Sequence, residues 1–142
     1  SLGFDGPTVP GPGKIVVGFG CRVLNLDGKD LGIWEATNGN YPLEKARVEV
    51  SKNGADWEWV GTAKNLGTGP NRASKVDVTP LPWFKYVRLS DTTVKSIHNG
   101  NADGFDVDGV KALQKCGKFE TAWGKGTPFP GNSWAMYIEY VS

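Results

Sequence analysis

The sequence predicts an all-β domain, an antiparallel β-sandwich. Three observations carry this expectation. Short segments alternate apolar and polar residues along most of the chain. Twenty glycines and nine prolines separate those segments at turn-like intervals. Helical periodicity is nearly absent, and its best candidate, Gly109 to Lys115, is too short to outrank a strand. Regularly spaced short strands with Gly/Pro turns are the pattern of two packed antiparallel sheets.

The elements follow in order. Lys14 to Phe19, "KIVVGF", puts Ile15, Val17 and Phe19 on one face. Leu31 to Glu35, "LGIWE", is the second candidate. Ala46 to Ser51, "ARVEVS", alternates most cleanly, with Ala46, Val48 and Val50 inward and Arg47, Glu49 and Ser51 outward. Asn53-Gly54 marks a tight turn, and "DWEWVG" follows as the hairpin partner. Trp57 and Trp59 share one face of that partner and are expected to be packed. "KVDVTP", "KYVRLS" and "FDVDGVKAL" continue the pattern, with Trp83 packed where a strand begins. "SWAMYIEYV" ends it, with Trp134, Met136, Ile138 and Tyr140 on one side. Pro7 to Gly13 reads as a rigid loop. Gly61 to Ser74 and Lys118 to Ser133 read as long polar loops, where the binding residues of a sandwich usually sit.

A length of 142 residues is that of one domain, residues 1–142, with a real core. A formal net charge of +1 with 22% charged residues is too balanced for electrostatic capture of nucleic acid or of an anionic membrane as the main task. No apolar run approaches a membrane span. Ser1-Leu2-Gly3-Phe4 reads as an internal start, so a mature or excised domain is expected. Cys21 and Cys116 are the only cysteines. They pair as one disulfide or stay as two buried thiols, and with the lone His98 they cannot complete a zinc site.

The stretch His98 to Val110, "HNGNADGFDVDGV", raises the question of a metal. Calcium takes six to eight oxygens from carboxylates, amides and backbone. Asn99, Asn101 and Asp103, followed by Gly104, reproduce the first half of a calcium loop. The twelfth position is Val110 and no helices flank the loop, so this is not an EF-hand. The missing acid would come from Asp106, Asp108 or another strand. Asn/Asp/Gly loops also serve as plain turns, and that reading stands beside the metal. Strand parity adds a second signal. Phe105 and Val107 alternate with Asp106 and Asp108, and a bulge near Asp108-Gly109 would return Val110 and Ala112 to the side of Phe105.

Other candidates are fewer. Trp123 lies in "AWGKGTPFPGNSW", where an exposed aromatic ring could stack on a sugar, while Trp134 reads as core. Asn71 and Arg72 in "GPNRAS" could donate hydrogen bonds to a sugar, or be a solvated loop. Arg88 faces outward from "YVRL", where a surface ion pair is the plain reading. Enzyme chemistry finds little support, since no nucleophile elbow or phosphate loop is present. Asp106 and Asp108 stand about 6.5–7 Å apart by strand rise, which overlaps the inverting glycosidase spacing. Spacing without a cleft is weak ground, and a non-catalytic protein is expected.

"ARVEVSKNGADWEWVG" followed by "KYVRLSD" resembles the hairpin and next strand of discoidin-like, or galactose-binding-like, domains. The order "GKIVVGF", "GKDLGIWEA", "ARVEVSKNG", "KYVRLSD", "ADGFDVDGV" is similar to a group of bacterial cell-surface domains of that fold, over roughly Lys14 to Leu113. Asn53 stands where such turns usually have Asp, Gly109 replaces the usual Ala, and the tail from Lys118 lies outside the resemblance. The resemblance implies a jelly-roll sandwich and an extracellular or cell-surface location. It also brings Asp30 and Glu35, which bracket "LGIW", near the strand of Asp106 and Asp108. The function expected is then a non-catalytic module with a structural Ca2+ held among Asp30, Glu35, Asn99, Asn101, Asp103, Asp106 and Asp108. Its partner would be a glycan met by end loops through Trp123, Arg72 and Asn71, with no nucleic acid and no membrane insertion. The alternative is an adhesive or protein-interaction domain of a cell-surface protein.

Overall fold

Val, Ile and Phe alternating with polar residues are satisfied by strands that bury one face and wet the other. The computed structural model describes residues 2, 13–36, 44–67, 69–94 and 104–117, and the backbone of 136–139. Among these residues the chain is all-β, with no helix. The strands are β1 (Lys14–Leu24), β2 (Leu31–Glu35), β3 (Lys45–Ser51), β4 (Glu58–Lys64), β5 (Ser74–Val76), β6 (Trp83–Asp91), β7 (Val107–Ala112), β8 (Cys116–Gly117) and β9 (Met136–Glu139). The larger sheet runs β4-β3-β6-β1-β8, with β9 also on β1, and the smaller runs β5-β2-β7. Every pairing is antiparallel.

The two sheets share one core, in a sandwich-like arrangement. The larger contributes Ile15, Val17, Ala46, Val48, Val50, Val87 and Leu89, and the smaller Leu31, Ile33, Val110 and Ala112. Phe19 and Phe84 meet edge to face at 5.8 Å. The sheets approach most closely at β4 and β5. A Cβ on Gly61 would meet Val76 Cγ1 at 3.2 Å, so this position accepts almost nothing larger. There Ser74 Oγ accepts from the Lys64 amide (2.8 Å) and donates to the Lys64 carbonyl (3.2 Å), which joins the two edges.

The hairpin expected at Asn53-Gly54 forms. Gly54 takes φ 78°, and Ser51 Oγ accepts its amide at 2.9 Å. Asn53 Oδ1 accepts from the amides of Ala55 and Asp56, so the Asn does the work of the usual Asp. One correction concerns its second strand. Trp57 and Trp59 do share a face, but it is the outer face of the sheet. Val48 pairs Gly61 while Glu49 pairs Trp59, so Val60 is an extra residue that leaves Trp59 outside, 61% exposed.

The bulge expected in the "FDVDGV" strand is present. Trp34 pairs Gly109 and Glu35 pairs Val107, leaving Asp108 as the extra residue. Phe105, Val110 and Ala112 are accordingly buried, and Asp108 is exposed. The short helical candidate from Gly109 is largely strand β7. The segment from Gly61 is strand as far as Lys64, and β5 begins at Ser74, which shortens the expected loop. β8 was not foreseen. Trp83 opens β6 half-buried, with Arg22 and Lys52 over its ring at 4.5 and 5.2 Å. Trp123, Trp134 and the loop Lys118 to Ser133 lie outside the described residues.

Cys21 and Cys116 form a disulfide between β1 and β8, 95 residues apart in sequence. A cross-link of that span strongly restricts the unfolded chain. Replacing both cysteines by Ser, or adding reductant, is expected to lower unfolding stability by about 2–4 kcal/mol in urea titrations. A change within error would mean that β8 and the disulfide contribute nothing to the fold.

Candidate functional site

Buried carboxylates come first, because the sequence singled them out. Asp30 is fully buried just before β2, and both of its oxygens are engaged by backbone. Oδ1 accepts from Leu26 N–H (3.1 Å) and Oδ2 from Val78 N–H (2.7 Å). Asn25 works beside it, donating to the carbonyls of Val78 and Leu81. Asp30 therefore holds the turn between β5 and β6. Glu35 lies at the far end of β2, about 16 Å along the strand, so the two acids do not converge.

Glu35 does meet Asp106. Glu35 Oε1 accepts the Asp106 amide at 3.3 Å, and the Ala36 amide donates to the Asp106 carbonyl at 3.0 Å. Asp106 Oδ1 is shut off from solvent. Asp91, which the sequence reading missed, reaches the same place from the larger sheet. Its Oδ2 accepts the Phe105 amide and its Oδ1 the Thr93 amide, each at 2.7 Å. Three carboxylates thus bracket the segment that leads to Asn99, Asn101 and Asp103, which lie outside the described residues. Among the described residues, no three His, Cys, Asp or Glu side chains are grouped so as to hold a metal. Asp108, exposed on its bulge, stands apart from this cluster.

The loop candidates sit elsewhere. Asn71 and Arg72 are exposed in a turn closed by Arg72 N–H to Gly69 O at 3.1 Å. The Trp34 indole donates to the same carbonyl at 3.2 Å, which ties this turn to β2 of the smaller sheet.

A more organised constellation lies on the outer face of the larger sheet. Register builds it row by row. Lys45 faces Lys64. Lys14, Ser90, Arg47 and Thr62 line up across four strands, and Val16, Arg88, Glu49 and Trp59 form the next row. Glu49 Oε2 accepts Arg88 Nε at 2.8 Å, and its Oε1 lies 3.4 Å from Arg47 Nε. Arg88 also lies over Trp57 at 4.4 Å and Arg47 over Trp59 at 5.3 Å. The Trp59 indole donates to the Gly61 carbonyl at 2.9 Å, which fixes its ring. An exposed indole is thus held in place by one hydrogen bond and one guanidinium.

Burial alone would push the Glu49 carboxyl up. The hydrogen bond and charge of Arg88, with the charges of Arg47 and Lys14, outweigh that and hold it below its usual 4.5. Such a network can present an aromatic ring flanked by hydrogen-bond donors. The alternation of "KARVEVS" put Arg47 and Glu49 on this face, but a two-residue turn at Asn53-Gly54 would have set Glu58 opposite Glu49, so the place of Trp59 was not contained in the sequence pattern. Comparison with family models, with curated proteins and with solved structures finds no match for this chain.

Two outcomes follow from these geometries. The folded pKa of Glu49 is depressed, so its contribution is full above pH 4.5 and is lost as pH falls through the folded value. Glu49→Gln should therefore be less stable than the parent at pH 7, with the gap closing below pH 4.5; a gap that widens in acid would contradict the ion pairing. Asp30→Ala should cost about 2–4 kcal/mol by stranding two buried amides. That cost should be equal with calcium and with excess chelator, whereas a metal ligand would show it only with calcium.

Proposed function

We propose that this chain is a non-catalytic glycan-binding module, a discoidin-like jelly-roll domain acting outside the cell or at its surface. The observation that carries the reading is Trp59: 61% exposed, its indole N–H tied to Gly61, and Arg47 lying over its ring. A pyranose offers an apolar C–H face that stacks on such a ring, while its hydroxyls take hydrogen bonds from neighbours. Arg47, with its side chain half exposed, and the exposed Thr62 hydroxyl of the next row are those neighbours. The sheet face supports this reading better than the end loops, because its ring is held in advance and less ordering accompanies binding.

The other reading, an adhesive or protein-interaction domain, calls for a contiguous apolar patch. The exposed large apolar side chains among the described residues are Leu26, Trp59, Val94 and Leu113; only Leu26 and Leu113 come near one another, both bonded through their amides to Asp30. That distribution favours the glycan. A structural calcium belongs to the proposal through the oxygen-ligand spacing of Asn99, Asn101 and Asp103 and through the resemblance. It narrows to Glu35 and Asp106 with the segment carrying Asn99, Asn101 and Asp103.

A glycan array followed by calorimetry on the best ligand tests the reading. Trp59→Ala should weaken binding at least about tenfold and shift stability by no more than about 0.5 kcal/mol, as an exposed substitution does. Arg72→Ala and Asn71→Ala should bind as the parent does. No glycan bound, or full affinity in Trp59→Ala with loss in Arg72→Ala, would move the site away from the sheet. For the metal, melting with calcium and with excess chelator should give different midpoints; identical midpoints in a calcium-free preparation remove calcium from the proposal.

A further inference from the structure

We infer that the glycan taken by this face is acidic, carrying carboxylate or sulfate groups along its chain. This rests on the glycan-binding reading above and names its substrate class. The first observation is charge. By register the face carries Lys14, Lys45, Lys64, Arg47 and Arg88 against two carboxylates, Glu49 and, opposite Val16, Glu139, in a chain whose formal net charge is only +1. The remaining residues are therefore on balance acidic, and the positive charge is collected on this side. Glu49 is already neutralised by Arg88 and Arg47. Asp56 and Glu58 lie at the hairpin end, away from the Lys45–Lys64 end.

The second observation is independent of the total. Lys45 and Lys64 are direct cross-strand partners. Like charges placed opposite one another destabilise a sheet. Among the described residues no acid stands on that row, and the next row adds Arg47 about 7 Å from Lys45 along β3. That spacing is within the Debye length of about 8 Å at physiological salt, so the cations act together. A local arrangement that works against the fold without a partner of its own marks a site kept for something else. Rows of cations ending at a fixed indole fit a polymer with both sugar faces and repeating negative charges. A neutral glycan would use Trp59 and leave the lysine pair unexplained. Nucleic acid would be expected to draw on a larger overall positive charge than +1.

The test uses the whole chain with four probes: polygalacturonate for carboxylate, dextran sulfate for sulfate, amylose for a neutral polymer, and duplex DNA. Binding to either acidic polysaccharide at least tenfold tighter than to amylose is expected, weakening steadily with added salt, and the two acidic arms say which group is read. Lys64→Glu should lose at least tenfold in that affinity while melting no lower than the parent, because it replaces repulsion with an ion pair to Lys45. A structural role for Lys64 would lower both together. Amylose bound as tightly as the acidic polymers, with Lys64→Glu unaffected and Trp59→Ala impaired, overturns the acidic specificity and leaves the glycan reading standing. Duplex DNA bound more tightly than every polysaccharide overturns both.

Discussion

Ala46, Val48 and Val50 of β3 are all fully buried, and this strand, paired on both flanks, sets which residues of its neighbours face outward. Its side chains alternate strictly, so burying three of them commits Lys45, Arg47, Glu49 and Ser51 to the opposite side. β4 and β6 pair with it on either flank and must follow its parity. Arg88 is then brought beside Glu49 from one side and Trp59 from the other. The ion pairs and ring contacts of the outer face are consequences of that burial. Of these, the Arg47 pair is exposed at its guanidinium and adds only about 0–1 kcal/mol, while the half-buried Arg88 pair is what compensates the burial of Glu49.

The buried acids answer a different need. A sandwich-like fold leaves strand ends and turns inside, where a backbone amide without an acceptor is costly. Asp30 and Asp91 each accept two such amides, and Glu35 accepts another. Asp91 ends β6 of one sheet while its acceptor role reaches Phe105, which leads into β7 of the other. An acidic loop sequence suggests a metal by its composition, but the same carboxylates serve as internal acceptors that tie sheet to sheet. Composition does not separate these uses; hydrogen-bond geometry shows the second, and at Asp30 both oxygens accept backbone amides.

What was legible in the sequence follows the same division. Period-two alternation marked β1, β2, β3, β6 and β7, because burial of one face imposes it directly. The bulge at Asp108 was legible too, since Phe105 and Val110 cannot otherwise both face the core. The bulge at Val60 was not, because Trp57 and Trp59 are apolar enough to read as core on either face. Counting out from a two-residue turn at Asn53-Gly54 would have placed Glu58 against Glu49 and Trp59 against the inward Val48, so the observed register, with a longer turn and a bulge, was hidden. The disulfide stayed open, as pairing two distant cysteines requires knowing that β8 lies beside β1. Asp91 was hidden because nothing local in "RLSD" shows that its partner is the amide of Phe105, fourteen residues on.

The Val60 bulge links the packing of the fold to the surface that would bind. Between Val48 and Glu49 the partner strand supplies one residue more than the sheet needs. Gly61 thereby faces inward, where the sheets come so close that its missing side chain is required beside Val76. Val60 packs partly against the core, and Trp59 is turned out. Without the extra residue, a register that kept Gly61 opposite Val48 would place Val60 opposite Glu49 and turn the indole inward, opposite the buried Val50. The extra residue is therefore what keeps Trp59 at the surface, and the carbonyl of Gly61 holds its indole there.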